Sequence, residues 1–235
     1  MTDNQVWCDK NVARIEARIG RVAISRQEAK ANYDRLSRWY DLFARFEKKY
    51  REAGLRKLNV GEKETVLEVG FGTGHCILAL AQAVGDRGRV SGIDISEGMC
   101  NVAQARVKKA GLSQRVRLQC GDAARLPFEA GIFDSIFMSF ALELFDAPEI
   151  PTVLGECYRV LKDDGRICIV AMSRGSKRTR MLGLYEFFHQ RFPQYVDCRP
   201  ITASKMLEQA SFHTQDVTEM SMWGLPVDIV LARKV

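Results

Sequence analysis

The chain has 235 residues, 46% of them hydrophobic and 27% charged, a balance that suits one globular unit with a sizeable core. Its net charge of +6 is unevenly placed, because residues 1–60 hold 14 Lys/Arg against 8 Asp/Glu while residues 61–235 hold 21 of each. No run approaches the roughly 18 apolar residues of a membrane-spanning helix, and seven scattered Cys without a C-x-x-C pair argue against a disulfide framework or a bound metal.

The opening Met-Thr-Asp-Asn-Gln has neither a basic start nor an apolar signal core, so a cytoplasmic location is expected. Residues 1–60 hold no strand-like run and read as a helical extension. Val12, Ile15, Ile19, Val22 and Ala23 share one helical face, ringed by Arg14, Arg18, Arg21 and Arg26 and preceded by Trp7. A basic amphipathic helix of this kind fits an anionic membrane surface, which would make the protein peripheral there. Docking on the domain itself or on a second subunit, as a homodimer, stays open. A second helix places Tyr33, Leu36, Tyr40, Phe43 and Tyr50 at helical spacing.

From Lys63 the texture changes. Short apolar runs at Thr65–Val69, Arg89–Ile93, Val116–Cys120, Asp134–Ser139 and Arg166–Ala171 alternate with helical segments near His75–Val84, Gly98–Ala110 and Ile150–Val160. That rhythm predicts βαβ units around a parallel sheet over residues 61–235. The Lys162-Asp-Asp-Gly165 tract reads as the turn closing the third helix. After Met172 come a loop with four positive charges and no acid, an aromatic helix at Thr179–Phe192 and a short helix near Ala203–Ala210. Two apolar-alternating runs flanking Trp223-Gly-Leu-Pro226 read as a closing antiparallel hairpin.

The first strand runs directly into Gly70-Phe-Gly72-Thr-Gly74. Glycine is needed where backbone turns sharply and a ligand must approach within contact distance. At the carboxyl end of a first parallel strand such a loop faces a nucleotide-like ligand. The third Gly arrives one residue too early for the dinucleotide fingerprint, and Glu68 stands two residues before the loop. A carboxylate there repels a pyrophosphate and attracts an ammonium. The second strand ends in Asp94, 20 residues beyond Gly74, where a carboxylate can take both hydroxyls of a ribose or cap the next helix. The third ends in Gly121-Asp122-Ala123, where a carboxylate can accept from an exocyclic amine.

This constellation resembles the class I S-adenosylmethionine-dependent methyltransferases. Its motifs are Val66-Leu-Glu-Val-Gly-Phe-Gly-Thr-Gly74, Gly92-Ile-Asp94-Ile-Ser96, Gly121-Asp122-Ala123, Leu126-Pro-Phe128, Phe133-Asp134 and Arg159-Val-Leu-Lys-Asp-Asp-Gly165. The resemblance implies a Rossmann-like doubly wound α/β sheet of seven strands, order 3-2-1-4-5-7-6 with strand 7 antiparallel, behind the N-terminal helices of residues 1–60. It also implies S-adenosylmethionine as cofactor, held by Glu68, Gly70, Gly72, Thr73, Gly74, Asp94, Ile95, Met99, Gly121, Asp122, Ala123 and Ser139. Within the family the chain looks most like the branch that methylates ubiquinone and menaquinone precursors and its relatives that methylate phospholipid amines. Tyr33-Asp34, Tyr40-Asp41, Met138-Ser-Phe140 and Cys198-Arg-Pro-Ile201 carry that likeness.

The expected reaction is methyl transfer to a small hydrophobic or lipid-like acceptor, a quinone precursor or a phospholipid amine. In the resembled branch the second helix covers the cofactor, which sets Tyr33 and Tyr40 near the sulfonium, where aromatic faces favour cations. His189, Tyr185 and Glu143 are the candidate bases, and a substrate cap is expected at about residues 173–201. A soluble small-molecule methyltransferase without membrane contact is the alternative. Nucleic-acid methylation ranks below both, because residues 61–235 are charge-neutral and show no base-reading motif.

Overall fold

The computed structural model describes residues 40–174 and 200–235, with side chains from Arg45 onward. Helix α1 (Tyr40–Leu58) comes first. Strands β1 (Thr65–Val69), β2 (Arg89–Asp94), β3 (Val116–Cys120), β4 (Phe133–Ser139) and β5 (Leu161–Met172) follow, with α2 (His75–Ala83), α3 (Glu97–Lys109) and α4 (Ile150–Val160) between them. A 3-10 turn, Leu142–Leu144, follows β4. Helix α5 (Ala203–Gln209) leads into β6 (Phe212–Met222) and β7 (Leu225–Lys234).

The seven strands form one sheet in the order β3-β2-β1-β4-β5-β7-β6. Strands β1 to β5 run parallel and β7 pairs antiparallel with both β5 and β6. This is the topology the resemblance implies. The strand side chains alternate between two cores, as the pleat requires. Ile136 and Met138 of β4, and Ile167, Ile169 and Ala171 of β5, face α4 and α5. Phe137, Cys168, Val170 and Met172 face α1, α2 and α3. Cys157 and Cys168 are small buried hydrophobes whose thiols burial pushes up to about 12.

The Lys162–Gly165 tract turns as a bulge inside β5, since Leu161 pairs with Phe133, the next pair is Ser135↔Arg166, and Asp164 between them is left-handed at φ 60°. The Lys162 ammonium donates to Asp134 at 2.6 Å, and Asp134 also accepts from the Thr65 amide at 2.8 Å. Partial burial raises the Asp134 carboxyl, and these donors outweigh it and hold the group below the usual carboxylate range. Arg159 likewise ties its motif inward, donating to Glu156 and to the Leu126 and Phe128 carbonyls at 2.7–3.1 Å.

Helix α1 lies across β4, β5 and β7. Tyr50 and Leu58 are fully buried there, so this part of the basic N-terminal region contributes to the core. Arg166 of β5 closes the carboxyl end of α1, donating to the Leu58 and Asn59 carbonyls at 2.7 and 2.8 Å while paired with Glu64 at 2.9 Å. The helix comes this close because residue 54 is glycine. A Cβ on Gly54 would sit 2.4 Å from Val170 Cγ2 and 3.0 Å from the Phe137 ring. No described helix is long and apolar enough to cross a membrane.

Gly54→Val should therefore lower the unfolding free energy by about 3 kcal/mol through overpacking. The helix-propensity gain opposes this by less than about 1 kcal/mol. Urea midpoints at unchanged m-value measure the difference. A midpoint at or above that of the parent would contradict the docking of α1 described above.

Candidate active site at the carboxyl edge of the sheet

The loop after β1 turns on three left-handed glycines: Gly70 at φ 73°, Gly72 at φ 52° and Gly74 at φ 81°. Two of them are also crowded. A Cβ on Gly70 would lie 2.5 Å from the Ala141 Cβ, and one on Gly74 would lie 2.9 Å from the Ala103 Cβ. Gly72 differs, with nothing within 4 Å of its would-be Cβ, so the middle of the loop borders open space. Backbone bonds hold the turn, from Gly70 N–H to the Ile93 carbonyl at 2.8 Å and from Gly74 N–H to the Phe71 carbonyl at 2.9 Å. Thr73 is buried and accepts from Arg106 through its carbonyl and hydroxyl at 2.7 and 3.1 Å.

Asp94 stands beside this loop at the tip of β2. Its Oδ2 accepts from the Gly72 amide at 2.8 Å and its Oδ1 from the Ser96 amide at 3.0 Å. The capping alternative for Asp94 fails, because Ser96 is the N-cap of α3 and its Oγ accepts from the Met99 amide at 3.1 Å. The tip of β3 adjoins it, with Cα register Asp94↔Cys120 and a 2.8 Å bond from the Gly121 amide to the Asp94 carbonyl. Asp122 folds its own turn, Oδ1 accepting from the Ala124 amide at 2.9 Å. Met99 and Ala123 are buried nearby, while Ile95 leaves 37% of its apolar surface exposed. At the tip of β4, the buried Ser139 Oγ has no partner among the described residues.

Glu68 is the most perturbed acid of the site. It projects from β1 to the face covered by α1 and α2 and is 2% exposed. Burial holds its carboxyl well above the usual carboxylate range; the Arg51 guanidinium opposes this and the Asp94 charge reinforces it. It hydrogen-bonds with Cys76, yet its buried Oε2 has no partner among the described residues. Such an oxygen, directly below a glycine loop with room above Gly72, suits a cationic ammonium. Sequence reasoning missed Arg51, which lies on α1 and is paired with Glu47 at 3.0 Å. With Arg45, Lys48, His75 and Cys76 it lines a cleft of 490 Å³ beside the loop. The signal available was the basic excess of residues 1–60, but nothing local ties position 51 to position 68.

The structure thus gathers the twelve expected cofactor positions along the tips of β1 to β4. Of the expected catalytic residues, Tyr33, Tyr185 and His189 lie outside the described residues, as does most of the cap at 173–201. Tyr40 opens α1, and its side chain is outside them too. Glu143 is fully buried, its Oε1 accepting from the Met172 amide at 3.0 Å, which ties the turn after β4 to the end of β5.

A carboxyl whose pKa is raised on folding stabilises the fold fully below its unfolded value, and that contribution is lost as pH climbs through the folded value. Replacing Glu68 by Gln removes the loss. The melting temperature of Glu68→Gln should therefore gain on that of the parent between about pH 4 and 8. Thermal melts of both proteins across that range measure it, and parallel curves would contradict the desolvation of Glu68.

Residues 66–165 match the family model of the methyltransferase domain. The chain is 35% identical over 148 residues to the demethylmenaquinone methyltransferase of Bacillus pumilus, covering 63% of this chain and 62% of that protein, less than two thirds of its length. It is 29% identical over 205 residues to the demethylmenaquinone methyltransferase of Lactobacillus johnsonii, covering 79% of this chain and 83% of that one. Among solved structures it is similar to an S-adenosylmethionine-dependent methyltransferase from Aquifex aeolicus, with 25% identity, TM-score 0.61, and 79% and 89% of the two chains covered. The matched domain runs from β1 into β5 and takes in every strand tip just described, so over residues 66–165 the chain is similar to the methyltransferase domain of S-adenosylmethionine-dependent enzymes.

Proposed function

We propose that the chain transfers a methyl group from S-adenosylmethionine to a quinone precursor of the demethylmenaquinone type. The observation that carries this reading is the identity with demethylmenaquinone methyltransferases, 35% over 148 residues and 29% over 205 residues in the two relatives. S-adenosylmethionine supplies a methyl group already activated by the sulfonium charge.

The chain's own residues bind and orient. Glu68 and the Gly70–Gly74 backbone take the methionine moiety, Glu68 through the buried oxygen that lacks a partner among the described residues. Asp94, its carboxylate fixed by the Gly72 and Ser96 amides, takes the ribose hydroxyls. Gly121, Asp122 and Ala123 receive the adenine edge, with Ile95 and Met99 as its apolar bed and the exposed part of Ile95 covered on binding. Thr73, held by Arg106, fixes the far side of the loop, and Ser139 faces the reacting end. Alignment and water exclusion dominate the rate in such a transfer.

Two measurements test this. In calorimetry, Asp94→Ala should weaken S-adenosylmethionine binding about tenfold to a hundredfold, the size of a lost charged hydrogen-bond set. Unchanged affinity would remove Asp94 from the site. Incubation with labelled S-adenosylmethionine and demethylmenaquinone should then yield methylated quinone, identified by mass spectrometry. Label found only in phosphatidylethanolamine, offered in parallel, would overturn the acceptor and leave the cofactor assignment standing.

A further inference from the structure

We propose that the corner where α1 meets the β6–β7 turn is a contact surface for an anionic phospholipid membrane. Trp223 is 66% exposed and Phe46 is 55% exposed, and their rings meet edge to face at a centroid distance of 5.0 Å. Two large aromatics on separate elements form a single exposed patch.

The turn does not require a tryptophan. Trp223 and Gly224 take φ 52° and 82°, the left-handed pair of a tight hairpin that Asn-Gly or Gly-Gly serves without strain. A bulky side chain in that region is an outlier, and an outlier retained at a surface points to function. The strand leading into this turn is tied to α1. The Tyr50 hydroxyl donates to the Ser221 carbonyl at 2.6 Å, and the buried Tyr50 ring meets Phe140 edge to face at 6.2 Å.

Charge selects the partner. Arg45, Lys48 and Lys49 line the same 470 Å³ recess as Phe46 and Trp223, against one acid, Glu52, which lies 3.8 Å from the Lys48 ammonium. An indole settles at the headgroup level of a bilayer, and cations around it meet lipid phosphates. A nucleic-acid surface would instead want an open aromatic face for base stacking and a longer basic track.

Position supports the same partner. The Ser173 amide donates to the Pro226 carbonyl at 2.8 Å and Met172 is in register with Val227, so the hairpin tip stands at the carboxyl edge of the parallel strands, the edge that carries the glycine loop. A protein seated on lipid through this corner keeps its site on the membrane side. The surface stands on its own residues and not on the identity of the acceptor.

Sedimentation of the full-length chain with vesicles tests the proposal. Binding is expected to vesicles of phosphatidylcholine mixed with phosphatidylglycerol, to weaken with added salt, and to be slight with phosphatidylcholine alone. Trp223→Gly should lower the affinity about tenfold by removing the aromatic anchor. Glycine adopts φ 52° freely, so an unlowered melting temperature shows that the loss is not unfolding. Lys48→Glu and Lys49→Glu should each cost about fivefold. Binding that survives all three substitutions, binding that ignores lipid charge, or Trp223-dependent capture of nucleic acid or protein without vesicle binding would overturn the proposal.

Discussion

The hydrogen bond from the Gly72 amide to the Asp94 carboxylate joins the two strand tips on which the site depends. It is possible only because the loop carries no side chains where it folds back. Gly70 and Gly74 lie against Ala141 and Ala103 at distances that leave no room for a Cβ, while Gly72 keeps clear space on its outer side. The loop is thus pressed down at both ends and open in the middle. Asp94 fixes its height, and the second oxygen of the same carboxylate holds the first turn of α3 through Ser96. The tip of β3 follows through Gly121, so one acid organises three elements of the edge.

The other side of the loop is governed by burial. Glu68 sits under α1 and α2, where the loss of water outweighs the nearby guanidinium of Arg51 and holds the carboxyl well above the usual carboxylate range. That balance exists because α1 lies flat on the sheet, which in turn rests on the missing side chain at Gly54 and on Arg166 closing the helix end. The basic character of the N-terminal region therefore does more than decorate a surface. Through Arg51 it acts on the buried Glu68, and through Arg45, Lys48 and Lys49 it supplies the cations of the corner beside Trp223.

Reversal of β7 connects these two uses. A seventh parallel strand would begin at the amino edge, whereas the antiparallel β7 begins at the carboxyl edge and puts the β6–β7 turn level with the cofactor loop. The strained backbone of Trp223 and the opening above Gly72 thus belong to the same rim of the sheet.

The sequence by itself determined what depends on local spacing. Uniformly apolar runs such as Ile167–Ala171 marked the strands, Gly70-Phe-Gly72-Thr-Gly74 marked the loop, and acids at the strand ends marked the cofactor edge. It was silent wherever the partner lies far along the chain. That the Lys162–Gly165 turn is a bulge inside β5, with Lys162 donating to Asp134, is set by β4 and not by local signals. The sequence left a helix cap open as the lesser reading of Asp94, and the fold gives that role to Ser96. The roles of Arg51, Arg166 and Gly54 were invisible, since each acts on residues contributed by other strands. Only the tertiary structure decided which acid is desolvated and which aromatic is left in water. Burial and electrostatic coupling are set by which elements cover a side chain, and that covering is made by residues that may be more than a hundred positions away, as between Tyr50 and Ser221.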